Sequence, residues 1–202
     1  MIWRVGFFIL LLFVTACGID VDNSDKKIFR YNESAGIHTL DPTFSKDQAT
    51  IWATNQLFNG LVQLDLDLNV KPSVAKSWDI SSDALNYTFN LRNDVFFHDH
   101  ELFKNGKGRK VTASDFEYSF NRLLDKDFAA PGAWVLGNVA SFSALNDSNF
   151  TIKLQKPFPA FLSLLSMQYC SVVPKEIIDG SDFNRNPIGT GPFKFKLWED
   201  GV

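Results

Sequence analysis

Apolar positions change period several times along this chain, and each change marks an element. Leu85, Tyr87, Phe89 and Leu91 alternate with Asn86, Thr88, Asn90 and Arg92, the period-two pattern of a strand with one buried face. Phe150, Ile152 and Leu154 alternate with Thr151, Lys153 and Gln155 in the same way, and Phe193, Phe195 and Leu197 with Lys194, Lys196 and Trp198. Ile28-Phe29-Arg30-Tyr31 reads as a first strand. Elsewhere the period lengthens to that of a helix. Ser45-Lys46-Asp47-Gln48 has the form of a capping box with Ser45 as N-cap. Behind it Ala49, Trp52, Ala53, Leu57 and Leu61 recur at helical spacing, with Gly60 as the stop. A second helix begins at Thr112, whose box Asp115 closes. Val111 and Phe116 hold the staple positions there, and Phe116, Phe120, Leu123 and Leu124 form the inward stripe. Helices and strands interleave, so the fold class is α/β in the mixed α+β sense.

Composition narrows the function. The 202 residues are 45% hydrophobic, include 20 Phe, and carry 20 Lys+Arg against 23 Asp+Glu. That excludes a disordered tail, a collagen-like fibre and a strongly basic nucleic-acid binder. A mild charge leaves a small molecule or a peptide as the natural partner.

The N-terminus is set apart from the body. Arg4 precedes an apolar run, Val5 to Val14, interrupted only by Gly6; a bilayer-spanning helix needs about 20 residues, so this is the short core of a secretory signal peptide over residues 1–16. Its exit, Val14-Thr15-Ala16-Cys17-Gly18, resembles the lipobox of bacterial lipoproteins, in which the Cys thiol takes a diacylglyceryl group and becomes the new N-terminus. Cys17 is therefore the expected lipidation site and residues 18–27 a polar tether. Cleavage would remove Arg4 alone among the charged residues, taking the net charge from −3 to −4. Cys170 then has no partner for an internal disulfide and, inside the apolar stretch Leu162–Val173, reads as a buried, inert thiol.

Candidate chemistry is sparse. His98-Asp99-His100-Glu101 places two imidazoles two residues apart beside carboxylates, but no third His or Cys lies at ligand spacing. A polar turn is the better reading, and a metal-dependent envelope enzyme using His98 and His100 is the alternative. Asp65-Leu66-Asp67-Leu68-Asn69 starts like a calcium loop, yet Val70 and Lys76 stand where Gly and Glu are required. Gly189-Thr190-Gly191-Pro192 lacks the third glycine of a phosphate cradle and reads as a backbone crossing. Lys104, Lys107, Arg109 and Lys110 read as a solvated basic loop. No Ser/His/Asp or Cys/His grouping is present, so neither an enzyme nor a cofactor is expected. The chain stops at Asp200-Gly201-Val202 in the middle of a turn signal, which reads as a truncated frame.

Three segments together resemble the bacterial extracellular solute-binding proteins of the oligopeptide class, family 5, which feed ABC importers. Lys71-Pro72-Ser73-Val74-Ala75-Lys76-Ser77-Trp78, running into Tyr87-Thr88-Phe89-Asn90-Leu91-Arg92, looks like the family's "P-x-(L/V)-A-x-S-W … Y-T-F-x-L-R" stretch. Phe97-His98-Asp99 with Val111-Thr112-Ala113-Ser114-Asp115-Phe116 is similar to "F-H-D-G … (V/F)-T-A-x-D-(V/F)". Pro187-Ile188-Gly189-Thr190-Gly191-Pro192-Phe193 is close to "P-(I/V)-G-T-G-P-(Y/F)". His100 replaces the family's usual Gly, and Glu101–Lys110 forms a longer loop than is common.

The resemblance implies the N-terminal part of a type II periplasmic-binding-protein-like fold. Residues 28–58 would open lobe I, 59–170 form an inserted subdomain, and 171–202 re-enter the lobe. It implies a lipoprotein of the cell envelope, periplasmic or extracytoplasmic, that captures extended oligopeptides and passes them to ABC permease subunits. A nickel, haem or other small-solute binder on the same fold is the alternative. Lys46, Asp47 and Gln48 would lie along the ligand through main-chain contacts, in competition with a plain helix start. Gly132 stands where the family often has a Tyr near the peptide, and Trp134 is either its substitute or a core residue.

Overall fold

Phe89 and Phe150, from two of the period-two segments, stand opposite each other on neighbouring antiparallel strands in the computed structural model, which describes residues 30–199. The chain divides into two units, residues 1–32 and 33–202. Of the first, only residues 30–32 are described, and they lie in neither strand nor helix. The expected strand at 28–31 is therefore not formed in its described half, Arg30-Tyr31; apolar alternation makes a strand only where another strand supplies hydrogen bonds.

The second unit holds a four-stranded antiparallel sheet of β3 (Ala75–Ile80), β4 (Asn86–Leu91), β6 (Asn149–Leu154) and β5 (Val139–Asn146), in that spatial order. β1 (Val62–Leu64) and β2 (Val70–Pro72) form a separate hairpin. Its turn is the failed calcium loop: Asp65 Oδ1 accepts from the N–H groups of Asp67 and Asn69, so the carboxylate ties a turn. Tyr87, Phe89 and Leu91 of β4 and Phe150, Ile152 and Leu154 of β6 are buried, as their alternation predicts.

Helix α1 (Gln48–Leu57) precedes the strands, and α2 (Ala113–Leu124) packs across β5 and β6. Phe116 and Phe120 of α2 are fully buried against Phe150, with ring centroids 5.9 and 5.4 Å away. Each such burial contributes about 1.5–3 kcal/mol. The α2 start is as read: Thr112 N donates to Asp115 Oδ2 at 2.8 Å, and Val111 and Phe116 are both buried. Leu124, expected inside, is 40% exposed because the stripe ends one residue earlier, at Leu123. Two short helices, α3 (Phe161–Leu164) and α4 (Lys175–Gly180), follow.

Two other expectations change. The α1 N-cap is Asp47, whose carboxylate accepts from Thr50 N at 2.9 Å and Thr50 Oγ1 at 3.0 Å. Ser45 is instead buried and hydrogen-bonded to Thr54. Burial on α1 follows Ala49, Thr50, Thr54 and Leu57, which turns Trp52 outward, and the helix stops at Leu57, not at Gly60. The 193–197 segment forms no strand. Its first residue, Phe193, donates its N–H to Gln56 O at the end of α1, and Phe193 and Leu197 are exposed.

Candidate ligand-binding site

The segment leading into α1 is fixed from behind. Asp41, at the turn before Pro42, is buried; its Oδ1 accepts from Thr43 N at 2.9 Å and from Arg122 of α2 at 3.0 Å. Arg122 also donates to Asp41 Oδ2 and Thr43 Oγ1. Lys46 N donates to Phe44 O at 2.8 Å, which leaves the Lys46 side chain exposed, Asp47 half-buried as the cap, and Gln48 exposed at the first helical position. Hydrogen bonding to the Thr50 N–H holds the Asp47 carboxyl below its ordinary value.

Gly132 lies elsewhere in sequence, before a short 3₁₀ turn, Ala133–Leu136. Val135 and Leu136 take the buried positions of that turn, so Trp134 is left 59% exposed; it is not a core residue. Gly132 itself is buried under an aromatic ring. A Cβ added there would be 2.1 Å from Tyr169 Cγ, with Cδ1 and Cδ2 at 2.4 and 2.6 Å. Tyr169 belongs to a one-turn 3₁₀ segment, Gln168–Cys170, that packs on both Pro42–Phe44 and α1. Its neighbour Gln168 donates to Asn55 of α1. Burial and then the negative charge of Asp47 raise the Tyr169 phenol above its ordinary value. Of the two predicted segments, 132–134 thus touches Tyr169 through Gly132, while 46–48 reaches it only through the charge of Asp47. Tyr169 lies outside every motif named above; its one signal in the sequence is an aromatic beside Gln168.

The crossing at Gly189–Gly191 closes the other end of α1. Leu57 O accepts from Gly191 N at 2.8 Å and Gln56 O from Phe193 N at 3.0 Å, so two carbonyls that a helix end leaves free are satisfied by the crossing chain. His98 holds the same crossing: its N–H donates to Gly189 O and its Nε2 to Gly191 O, both at 2.9 Å. A carbonyl only accepts, so Nε2 carries the proton. Thr190 Oγ1 donates to Asn59 Oδ1 at 3.0 Å. A polar cleft of about 450 Å³ opens beside this point, lined by residues that include Asn59, Gln63, Arg92, Asp94 and His98; none of the five predicted ligand residues lines it.

The histidine pair is thus committed to structure. His98 serves the crossing, and His100 Nδ1 accepts from Leu102 N at 3.3 Å, a polar turn. Among the described residues no group of three His, Cys, Asp or Glu side chains is placed to hold a metal. The loop read as solvated is half so. Lys107 pairs with Asp99 at 2.9 Å, but Arg109 is drawn inward, donating to both oxygens of Asp115 at 2.8 and 2.7 Å and of Glu176 at 2.6 and 2.9 Å. Its guanidinium also stands 5.2 Å from the Phe97 ring centroid. Arg109 therefore ties the loop to the starts of α2 and α4. Cys17, the signal peptide and the tether lie outside the described residues. Among the described residues no helix is long and apolar enough to cross a membrane.

Known proteins share this fold. A family model described as "Bacterial extracellular solute-binding proteins, family 5 Middle" matches residues 69–202. Di/tripeptide-binding protein 1 of Pseudomonas aeruginosa is 33% identical over 166 residues, covering 73% of this chain and 30% of that protein. The periplasmic binding protein DppA of Helicobacter pylori, solved in complex with peptide STSA, superposes with a TM-score of 0.72 at 32% identity, over 81% of this chain and 35% of the other. NikZ of Campylobacter jejuni, solved in complex with Ni(L-His), gives 0.69 at 35% identity, over 82% and 32%. The chain spans about a third of the length of these proteins. With its mixed α/β fold and a family match over most of its length, the chain belongs to the bacterial extracellular solute-binding proteins of family 5.

Proposed function

We propose that this chain is part of the substrate-binding lipoprotein of an ABC importer and captures extended oligopeptides. The observation that supports the reading is the family match over residues 69–202, in a chain whose relatives include a di/tripeptide-binding protein and whose structural neighbours include a peptide complex. An extended peptide offers a regular row of N–H and C=O groups, so main-chain pairing grips it without reading its side chains. Residues 28–58 and 171–202 belong to one lobe and residues 59–170 to a subdomain inserted in it, and closure of a second lobe completes the cleft. Acyl chains on Cys17 hold the protein to the outer face of a membrane, within reach of the permease; more than one chain is needed for stable anchoring, since each buried methylene adds only about 0.8 kcal/mol.

The test is to purify the native protein from its own cells and identify what comes with it by mass spectrometry. A heterogeneous set of short peptides is expected. A single metal chelate or one sugar–amino-acid conjugate would overturn the peptide reading. Labelling with a radioactive fatty acid tests the anchor: Cys17→Ser abolishes it, and a labelled variant would refute lipidation at that residue.

A further inference from the structure

We propose that the cleft beside the glycine crossing is a ligand site in its own right, built for a neutral, hydroxyl-rich molecule of the saccharide class. None of Lys46, Asp47, Gln48, Gly132 and Trp134 lines it, so the proposal does not depend on the peptide reading above.

Three separate stretches of the chain supply the walls. Asn59 follows α1, Ser73 lies in the short link between β2 and β3, and Arg92, Asp94, Phe96 and His98 come from the end of β4 onward. The volume of about 450 Å³ falls at the small end of the roughly 300–1,000 Å³ that ligand pockets occupy.

The polar groups here are fixed in place and incompletely used. The crossing holds His98 at two points, its N–H on Gly189 O and its Nε2 on Gly191 O, which leaves Nδ1 as an acceptor. Asn59 Oδ1 accepts from Thr190 and Asn59 O from Val172 N at 3.0 Å, which leaves the Nδ2 donors. Ser73 spends only its backbone N–H, on Leu61 O at 3.3 Å. Among the described residues the one buried polar side-chain atom without a partner is Arg122 Nε. His98 Nδ1, Asn59 Nδ2 and Ser73 Oγ have no partner among those residues either, so they are open to solvent, on three residues that line one cleft. A hydroxyl group donates and accepts at once, and so serves a ring-nitrogen acceptor and an amide donor together; a carboxylate only accepts and an ammonium only donates.

Charge and surface point the same way. Arg92 donates to both oxygens of Asp94 at 2.9 Å and holds that carboxyl below its ordinary value, so the two ions cancel and no free charge is left to grip an ionic ligand. Phe96 keeps 53% of its surface in water. An apolar ring beside fixed polar groups suits a sugar, whose C–H face covers the ring while its hydroxyls reach the histidine, the amide and the serine.

The experiment is titration calorimetry on the intact protein with D-glucose and with D-glucuronate, which share a ring but differ in charge, alongside melting temperatures. Glucose binds. Glucuronate binds several-fold more weakly, since its carboxylate loses water and finds no unpaired cation. Ser73→Ala removes a hydroxyl that bonds to nothing within the described chain, so its melting temperature stays near wild type while glucose affinity falls about threefold. Phe96→Ala lowers it about tenfold; should that variant fail to fold, Ser73→Ala decides alone. Trialanine does not compete with glucose. A protein that binds no glucose, folded variants that bind it as wild type does, glucuronate bound as tightly as glucose, or displacement by trialanine would each overturn the proposal, and none of these outcomes touches the test of the peptide reading by co-purification.

Discussion

Arg122 donates to both carboxylate oxygens of Asp41, 81 positions earlier in the chain, and neither side chain is more than 6% exposed. The pair joins α2, in the core of the second unit, to the turn that leads into the candidate site. Its geometry is nearly complete: among the described residues only Arg122 Nε is buried without a hydrogen-bond partner, and Phe128 covers the guanidinium at 4.9 Å.

Removing one partner of such a pair leaves an uncompensated buried charge. Asp41→Asn therefore costs about 3–5 kcal/mol, whereas Asp41→Asn combined with Arg122→Met costs clearly less than the two single changes added. Urea denaturation of the four proteins measures the coupling. Additive losses would show that the two side chains do not act as a pair.

Arg109 and Glu176 give the molecule an acid-sensitive tie. The hydrogen bonds from Arg109 hold the Glu176 carboxyl below its ordinary 4.5. A carboxyl that is more acidic folded than unfolded adds stability above its unfolded value and loses it as pH falls through the folded one. The contribution is thus full at neutral pH and disappears progressively below about pH 4.5. The Glu176 side chain is 41% exposed, so solvent screening keeps the effect to about 0.2–1 kcal/mol. The stability gap between wild type and Glu176→Gln should narrow as pH falls from about 5.5 to about 3.5, one unit either side of that value, and go on closing below it. A gap that stays constant across that range would refute the ion-pair origin.

Much of this fold was legible in the sequence because some elements are specified locally. The β4 and β6 alternation and the Thr112–Asp115 cap each depend on residues within one element, and both stand as read. What failed depended on distant partners. The 193–197 alternation found a helix end in place of a strand edge, and Trp52 turned outward because the threonines Thr50 and Thr54 took the inner face through Asp47, Ser45 and backbone carbonyls. The site divides likewise. Segments 46–48 and 132–134 came forward only through a resemblance, and the packing of Tyr169 on Gly132 is a contact across 37 positions that no local pattern encodes. Arg122 was hidden similarly: it lies three residues after Ser119, on the buried face that carries Phe116, Phe120 and Leu123, and only its partner explains its charge.

The glycine crossing is a packing requirement. A Cβ on Gly189 would come within 2.0 Å of Leu57 O, and one on Gly191 within 2.5 Å of Gln56 O, backbone atoms that cannot yield without moving the end of α1. Gly189→Ala should cost about 1–3 kcal/mol. It should also speed hydrogen exchange at Gly191 N–H, which donates to Leu57 O. A variant with unchanged stability and exchange would show that the crossing is loose.

Cys170 supplies the last prediction. Its side chain is 1% exposed, and burial pushes the thiol up to about 12. The thiolate is the reactive form, so at pH 9 only about one molecule in a thousand would carry it even if the reagent could enter. Native protein treated with a maleimide should remain unlabelled on the peptide containing Cys170, and the same peptide should label fully in 6 M guanidinium, a concentration above the roughly 5 M that marks even hyperstable domains. The rate of labelling in intermediate denaturant should follow the unfolding transition, since opening of the core gates access. Rapid labelling of the folded protein would mean that the segment between α3 and α4 opens independently of the core, and that the floor beneath Tyr169 is itself mobile.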